Sequence, residues 1–314
     1  MKITKKEIES ALSNYRLGRL ESFSIPNQGL LNKVVFLKTT RGRYVLKIAL
    51  VNEDTLDYVL GLLDRIRMKT APRLVSTLDG KLYFLYFGHK AFVYQYIPGN
   101  IPKHLSIRMT SEIGRFLAEY HKRSYCFPKN SKREEILGLS QSSIKEAIAQ
   151  ARRWQGKKGR EALRHIEKSI GKYRLPDNLP SGPIHVDVKP DNSLFIGDKL
   201  QGVVDFDNAY QGPLILDLAV AMSWHGIVKG RVNLAKVKSL YSAYSKKRKL
   251  SSGERKSLFD AFHFAILRNA LRALAFLAQG RLPQKWVYSY LDHYLEAERN
   301  FVSTREEFIK YLEK

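Results

Sequence analysis

The chain has 314 residues, 44% of them hydrophobic and 11% aromatic, enough to bury the core of one bilobal domain or of two small ones, and nothing in its composition reads as disordered. Its single cysteine, Cys126, excludes an internal disulfide and any zinc site built from several cysteines, and fits a reducing intracellular setting. The formal net charge of +24 would attract nucleotides, nucleic acid or anionic surfaces, but it is spread along the whole chain, so a solvated surface is favoured over a nucleic-acid partner.

The N-terminal stretch Met1–Glu7 is charged and lacks the apolar core of a signal peptide. Residues 3–17 have a helical pattern, with Thr4 as N-cap and Ile8, Leu12 and Tyr15 on one face. Strands follow at Leu20–Ser24 and Val34–Leu37, and Arg41-Gly42 turns the chain into a third, Tyr44–Ile48. An amphipathic helix is expected over 53–67, then strands at Leu82–Phe87 and Ala91–Ile97. Pro98-Gly99 breaks the pattern. Beyond it helices dominate, at about 106–123, 141–169, 233–249, 254–278 and 284–311, around a short block, 183–217, with strand-like pieces at Ser193–Ile196 and Gly202–Val204. A β-rich front, 1–97, and a helical back, 98–314, predict an α+β fold. The longest apolar run, Phe264–Leu277, is interrupted by Arg268, Asn269 and Arg272, so no membrane span is expected and the protein is read as cytoplasmic. The densest basic cluster, Lys246-Lys247-Arg248-Lys249, reads as a solvated helix end.

The strongest chemical signal is His185-Val186-Asp187-Val188-Lys189-Pro190-Asp191-Asn192, followed by Asp205-Phe206-Asp207 and then Asp217-Leu218-Ala219. Phosphoryl transfer needs these residue types: a carboxylate to orient a hydroxyl and take its proton, and an amide oxygen with a second carboxylate to hold Mg²⁺ against phosphates. In the front piece, Lys47 lies within the apolar strand Tyr44–Ile48, where a buried ammonium needs a partner. ATP phosphates and an acid of the next helix, Glu53, Asp54 or Asp57, would supply one, with Asp54 preferred. The turn Gln28–Lys33 precedes that strand at a distance suited to a phosphate cover, and the backbone of Gln95–Gly99 could pair with an adenine edge.

This set resembles the catalytic and metal loops of the aminoglycoside phosphotransferase and choline kinase superfamily, whose members share the bilobal protein-kinase fold. The resemblance implies an ATP- and Mg²⁺-dependent kinase of a small hydroxylated metabolite, with Asp187 as catalytic base and Asn192 and Asp205 as magnesium ligands. It further implies that Asp217 braces the catalytic loop from the following helix, that His185 organises that loop, and that Gly29 and Asn32 match a Gly-x-x-Asn phosphate loop. Lys47 and the Gln95 and Ile97 backbone would hold the nucleotide. Lys189 is either an exposed lysine or a stabiliser of the transferring phosphoryl group, as in the similar protein-kinase loop. Val186 departs from the pattern, since many members have glycine there.

The similarity runs furthest toward the homoserine kinase branch: Tyr15–Leu20, Arg41–Leu46, Tyr58–Ile66, Asp217–Trp224, Leu240–Tyr244, Leu250–Arg255 and Leu267–Arg272 match in style. Ser223-Trp224-His225 stands where that branch has Asn-Asp-Trp. Homoserine is therefore the expected acceptor, with choline, methylthioribose or an aminoglycoside as alternatives. Residues from 206 onward carry more lysine and arginine than acid, which suits a zwitterion better than a polycation. Arg268 and Arg272, one turn apart, are read either as carboxylate or phosphate holders or as structural ion-pair partners. An atypical ribosome-associated protein kinase is a further alternative, drawn from the same loop and the charge; only Asn208–Leu216 separate Asp207 from Asp217, too few for a peptide-docking segment. A binding protein that has lost catalysis and uses its basic surface on RNA is the third, opposed by the intact Asp187, Asn192 and Asp205.

Overall fold

The computed structural model describes residues 3–26, 32–50, 53–128, 141–171, 173, 175–302 and 304–313, with backbone alone at 53–55, 141 and 313. The chain divides into two compact units, Met1–Gly99 with Gln201–Asp207, and Asn100–Leu200 with Asn208–Lys314.

The first unit contains α1 (Lys5–Leu12), β1 (Leu20–Ser24), β2 (Lys33–Thr39), β3 (Gly42–Ile48), α2 (Glu53–Ile66), β4 (Leu74–Val75), β5 (Phe84–Tyr86) and β6 (His89–Gln95). The strands form one antiparallel sheet in the order β1-β2-β3-β6-β4, with β5 also on β6. Thr4 caps α1 in a capping box with Glu7, and Ile8, Ala11 and Leu12 turn inward. α1 is shorter than the expected helix: Asn14 and Tyr15 N–H close on the Ala11 and Leu12 carbonyls in a tighter turn. Leu46 and Ile48 of β3 join Ile8, Leu12, Val35 and Leu37 in one core. Strand alternation therefore sends Lys47 to the opposite sheet face, in register with Val34 and Phe92.

The second unit contains α3 (Ile107–Ser124), α4 (Gln141–Ala151), α5 (Lys157–Ile170), β7 (Ser181–Ile184) and β8 (Ser193–Ile196). β9 (Lys199–Val203) carries the chain into the first unit. Then come β10 (Tyr210–Pro213), α6 (Leu214–Gly226), β11 (Ile227–Val228), β12 (Arg231–Val232), α7 (Leu234–Lys247), α8 (Ser252–Ala278), α9 (Gln284–Val302) and α10 (Arg305–Glu313). Strands thus segregate from helices in an α+β arrangement.

Two expected helices are each split. The segment 141–169 breaks at Trp154–Gly156, where a Cβ at Gly156 or Gly159 would meet the Trp154 ring. The segment 284–311 breaks between Val302 and Arg305, with Thr304 N–H closing on the Phe301 carbonyl. α6 was absent from the periodic helices because all its residues but Trp224 are buried, so it has no polar face. The apolar run of the sequence belongs to α8, which is long and apolar enough to cross a bilayer by length and composition, yet 83% of that window is buried within the fold.

Candidate active site

In the first unit, Lys47 is 8% exposed, and its Nζ donates to Asp207 Oδ2 at 2.6 Å and Asp205 Oδ1 at 3.2 Å. Burial alone would lower its pKa, but the two carboxylates outweigh it and hold the ammonium above the ordinary lysine range. Burial pushes the Asp207 carboxyl up, Lys47 draws it down, and the Asp205 charge pushes it up again, with a net rise. Asn32 fixes the far side: its Oδ1 accepts from Leu50 N–H at 3.0 Å and its Nδ2 donates to Asp207. Asp205 adopts a left-handed φ of 66°, which aspartate tolerates better than most residues, and a 3₁₀ turn over Phe206–Asn208 follows at once. Val203 N–H donates to the Thr70 carbonyl at 2.9 Å, and Ile97 packs over Gly202, which tie this return segment down.

Among the described residues, the acids paired with Lys47 are Asp205 and Asp207 of the 201–207 segment, not Asp57 of α2. The Asp57 carboxylate instead accepts from Lys90 Nζ at 2.9 Å. The side chains of Glu53 and Asp54 lie outside the described residues, as does Gly29. Gln95 N–H donates to the Arg73 carbonyl at 2.9 Å and Tyr96 N–H to the Arg43 carbonyl at 3.0 Å.

In the second unit, β7 pairs with β10 through Ile184 and Tyr210 and delivers the loop His185–Asn192 to the start of α6. Fully buried Asp217 receives that loop: Oδ2 accepts from His185 N–H at 2.8 Å, and Oδ1 from Val186 N–H at 2.7 Å. Val186 has φ 55°, a conformation costly for a β-branched side chain, and those hydrogen bonds hold it there. This is the physical reason glycine suits the position. Burial pushes the Asp217 carboxyl up, but hydrogen bonds from His121 and the His185 amide prevail, leaving it below the usual range.

Asp187 is buried, and its Oδ2 accepts from Lys189 Nζ at 3.0 Å and Asn192 Nδ2 at 3.1 Å. Its carbonyl accepts from the same Asn192 nitrogen at 2.9 Å. Asp187 N–H donates to His185 Nδ1 at 3.3 Å, and His225 Nε2 donates to the Val188 carbonyl at 3.0 Å. A 3₁₀ turn over Pro190–Asn192 closes the loop. Asp187, Lys189 and Asn192 are therefore assembled in one place, as are Asn32, Lys47, Asp205 and Asp207 in theirs.

Sequence reasoning missed four residues. Asp207 was visible in Asp205-Phe206-Asp207 but given no role. His121, His225 and Tyr244 had no local motif, because what they touch is distant in the chain. Of the arginine pair, Arg268 is buried and donates Nη1 to Asn269 Oδ1 at 3.2 Å, while the Arg272 guanidinium lies 5.5 Å from the Phe276 ring centre.

The sequence matches the phosphotransferase enzyme family over residues 22–249. A homoserine kinase of Rhizobium meliloti (strain 1021) is 31% identical over 261 residues, which are 82% of this chain and 79% of that protein. A homoserine kinase of Sinorhizobium fredii (strain NBRC 101917 / NGR234) is 32% identical over 257 residues, 80% of this chain and 78% of that protein. Among solved structures, a microcompartment-associated aminopropanol kinase aligns with TM-score 0.69 at 16% identity, covering 97% of this chain and 98% of that one. A spectinomycin phosphotransferase, in complex with ADP and spectinomycin, aligns with TM-score 0.66 at 16% identity, covering 100% and 94%. At that identity the two structures establish the fold alone, which is the protein-kinase-like one expected. With a family match across most of its length and relatives above 30% identity, the chain belongs to the phosphotransferase enzyme family, as a small-molecule kinase.

Proposed function

We propose that this kinase transfers the γ-phosphate of ATP to the side-chain hydroxyl of homoserine in the cytoplasm. The observation that carries the acceptor is the 29–32% identity to homoserine kinases over about four fifths of the chain. Asp187 orients the acceptor hydroxyl for in-line attack and takes its proton as the new O–P bond forms and the bond from the γ-phosphorus to the bridging oxygen breaks, releasing ADP. Lys189, already on the Asp187 carboxylate, offers its ammonium to the charge that develops on the transferring group. Lys47 is the cation for the triphosphate, and Gly29 and Asn32 cover it, while the backbone around Gln95 and Ile97 takes the adenine.

The donor chemistry fits Mg²⁺, which takes one or two carboxylates, keeps several waters and is completed by substrate phosphates. Asp205 and Asp207 are carboxylates side by side on one ammonium, and Asn192, its nitrogen on Asp187, has an amide oxygen to give. Asn192 and Asp205 are the proposed ligands. When bound, the ion neutralises charge on the β- and γ-phosphate oxygens. Positioning and electrostatics supply most of the rate, since the protein forms no covalent bond to substrate.

The test is ATP consumption with Mg²⁺ across homoserine, choline, ethanolamine, methylthioribose and several aminoglycosides. Turnover on homoserine above the others is expected. A different preferred acceptor would retire homoserine and keep the mechanism; silence on all would retire both. Asp187→Asn should lower kcat by about 10²- to 10⁴-fold with an unchanged unfolding midpoint, and full activity would remove Asp187 from its role.

A further inference from the structure

One chain of hydrogen bonds runs from the basic cluster at the end of α7 to the backbone of the catalytic loop, entirely within the second unit. Arg248 differs from the lysines around it: its side chain is 13% exposed, and Nη1 reaches Glu254 Oε1 at 2.9 Å and Tyr244 Oη at 3.1 Å. Glu254 is itself fully buried, its other oxygen accepting Ser251 N–H at 2.8 Å in the capping box of α8. Tyr244 Oη lies 2.7 Å from His121 Nδ1, and His121 Nε2 lies 3.0 Å from Asp217 Oδ2. Asp217 then holds His185 and Val186 by their amides.

The donors along this chain are fixed by chemistry. A guanidinium can only donate, so the Tyr244 oxygen accepts from Arg248 and its O–H is directed to His121 Nδ1. The Asp217 carboxylate can only accept, so His121 Nε2 carries the proton and donates it there, and the Tyr244 O–H on Nδ1 completes that tautomer. The carboxylate receives three donors, two of which are the loop amides of His185 and of the left-handed Val186.

We infer that His121, set in its tautomer by Tyr244 and Arg248, is a positioning residue of the phosphotransfer reaction, acting through Asp217 on the backbone that presents Asp187. The inference rests on the proposed role of Asp187. Arg248 stands here as the head of a directional relay anchored by Glu254, rather than as part of a nucleic-acid patch. Without the His121 donor, Asp217 keeps only the amides, and the strained turn at Val186 loses its alignment; a displacement of about 1 Å in a reacting group can cost about a hundredfold in rate.

The experiment compares His121→Leu, His121→Gln and Tyr244→Phe with the wild type in kcat, both KM values, thermal midpoint and amide hydrogen exchange of the peptide 184–189. His121→Leu and Tyr244→Phe should lower kcat by about tenfold to a hundredfold with KM for ATP and acceptor within about twofold. The same two variants should speed exchange of the loop amides. His121→Gln should recover part of both, because its side-chain amide can donate to Asp217 where His121 Nε2 does. Wild-type kcat and loop exchange in folded Tyr244→Phe would overturn the relay, as would equal losses in His121→Leu and His121→Gln. Tyr244→Phe keeps the ring, so the test survives if His121→Leu does not fold. Should the wild type turn over no acceptor, the phosphotransfer reading falls, and the exchange rates still decide whether the relay holds the loop.

Discussion

His225 shows how a single buried side chain ties stability to pH. Burial lowers its pKa from 6.5 to about 4, the Val188 carbonyl opposing and Lys236 assisting. With Nε2–H donating to Val188 and Nδ1 enclosed without a hydrogen-bond partner among the described residues, the ring is neutral in the fold. The unfolded chain takes up a proton below about pH 6.5, and the folded chain does so only near pH 4. Stability from this residue is therefore intact at pH 7 and falls as the pH drops through that window. One residue shifted this far makes the fold roughly 2 kcal/mol less stable at pH 5 than at pH 7. His225→Gln, which keeps a donor for Val188, should lose less between those pH values in urea unfolding; equal losses would remove His225 as the cause. The grouping on the 185–192 loop was legible because Asp187, Lys189 and Asn192 lie within six positions and their spacing is the signal. His225 and His121 were not, since each acts on a backbone or carboxylate brought to it by tertiary packing. Val186 was visible only as a departure; its φ of 55° explains the preference for glycine.

α3 and α7 approach closely at Gly114, where a Cβ would overlap the Leu240 carbonyl. Two turns further along α3 is His121, and one turn beyond Leu240 on α7 is Tyr244, so this close approach sets the distance across which they bond. Gly114→Ala would gain about 1 kcal/mol in helix propensity. The overlap is with backbone, which no rotamer change can relieve, and overpacking costs about 1–3 kcal/mol. The net expectation is destabilisation by up to about 2 kcal/mol, with a fall in kcat as the Tyr244–His121 bond stretches. A stabilised Gly114→Ala variant would show that the helices can separate freely. Elements with one apolar face and a clear cap were legible, as where Thr4 begins α1 with an acid three residues on; Ser251 caps α8 in the same way, and that helix begins at Ser252, two residues before the start expected at 254. α6 lacked the signal because it is apolar all round. The break at Trp154–Gly156 was hidden because it depends on a ring lying against glycines, a contact no periodicity reports.

At the scale of the whole molecule, the Pro98-Gly99 break was legible as a change from strands to helices, but the return of Gln201–Asp207 to the first unit was not. The sequence placed that segment in the helical part because neighbours in the chain were the only neighbours it could show. Its return gives the first unit the two acids that pair with Lys47 among the described residues, the Val203–Thr70 hydrogen bond and the contact of Gly202 with Ile97. A fragment of residues 1–99 has none of these. It retains a lysine on the inner part of a strand without its two carboxylates, and uncompensated charge in such a place costs several kcal/mol. The fragment should therefore unfold in urea at low concentration and with a broad transition. The same fragment joined through a glycine-rich linker to residues 201–207 should regain a sharper transition at higher urea. Replacing Asp205 and Asp207 by asparagine in the joined fragment separates the causes: it keeps the backbone bond at Val203 and removes the charges. If neutralising Lys47 is what the segment contributes, that variant should recover only part of the midpoint. Identical transitions in all three fragments would mean that strands 1–99 suffice, and that Lys47 reaches water on its own.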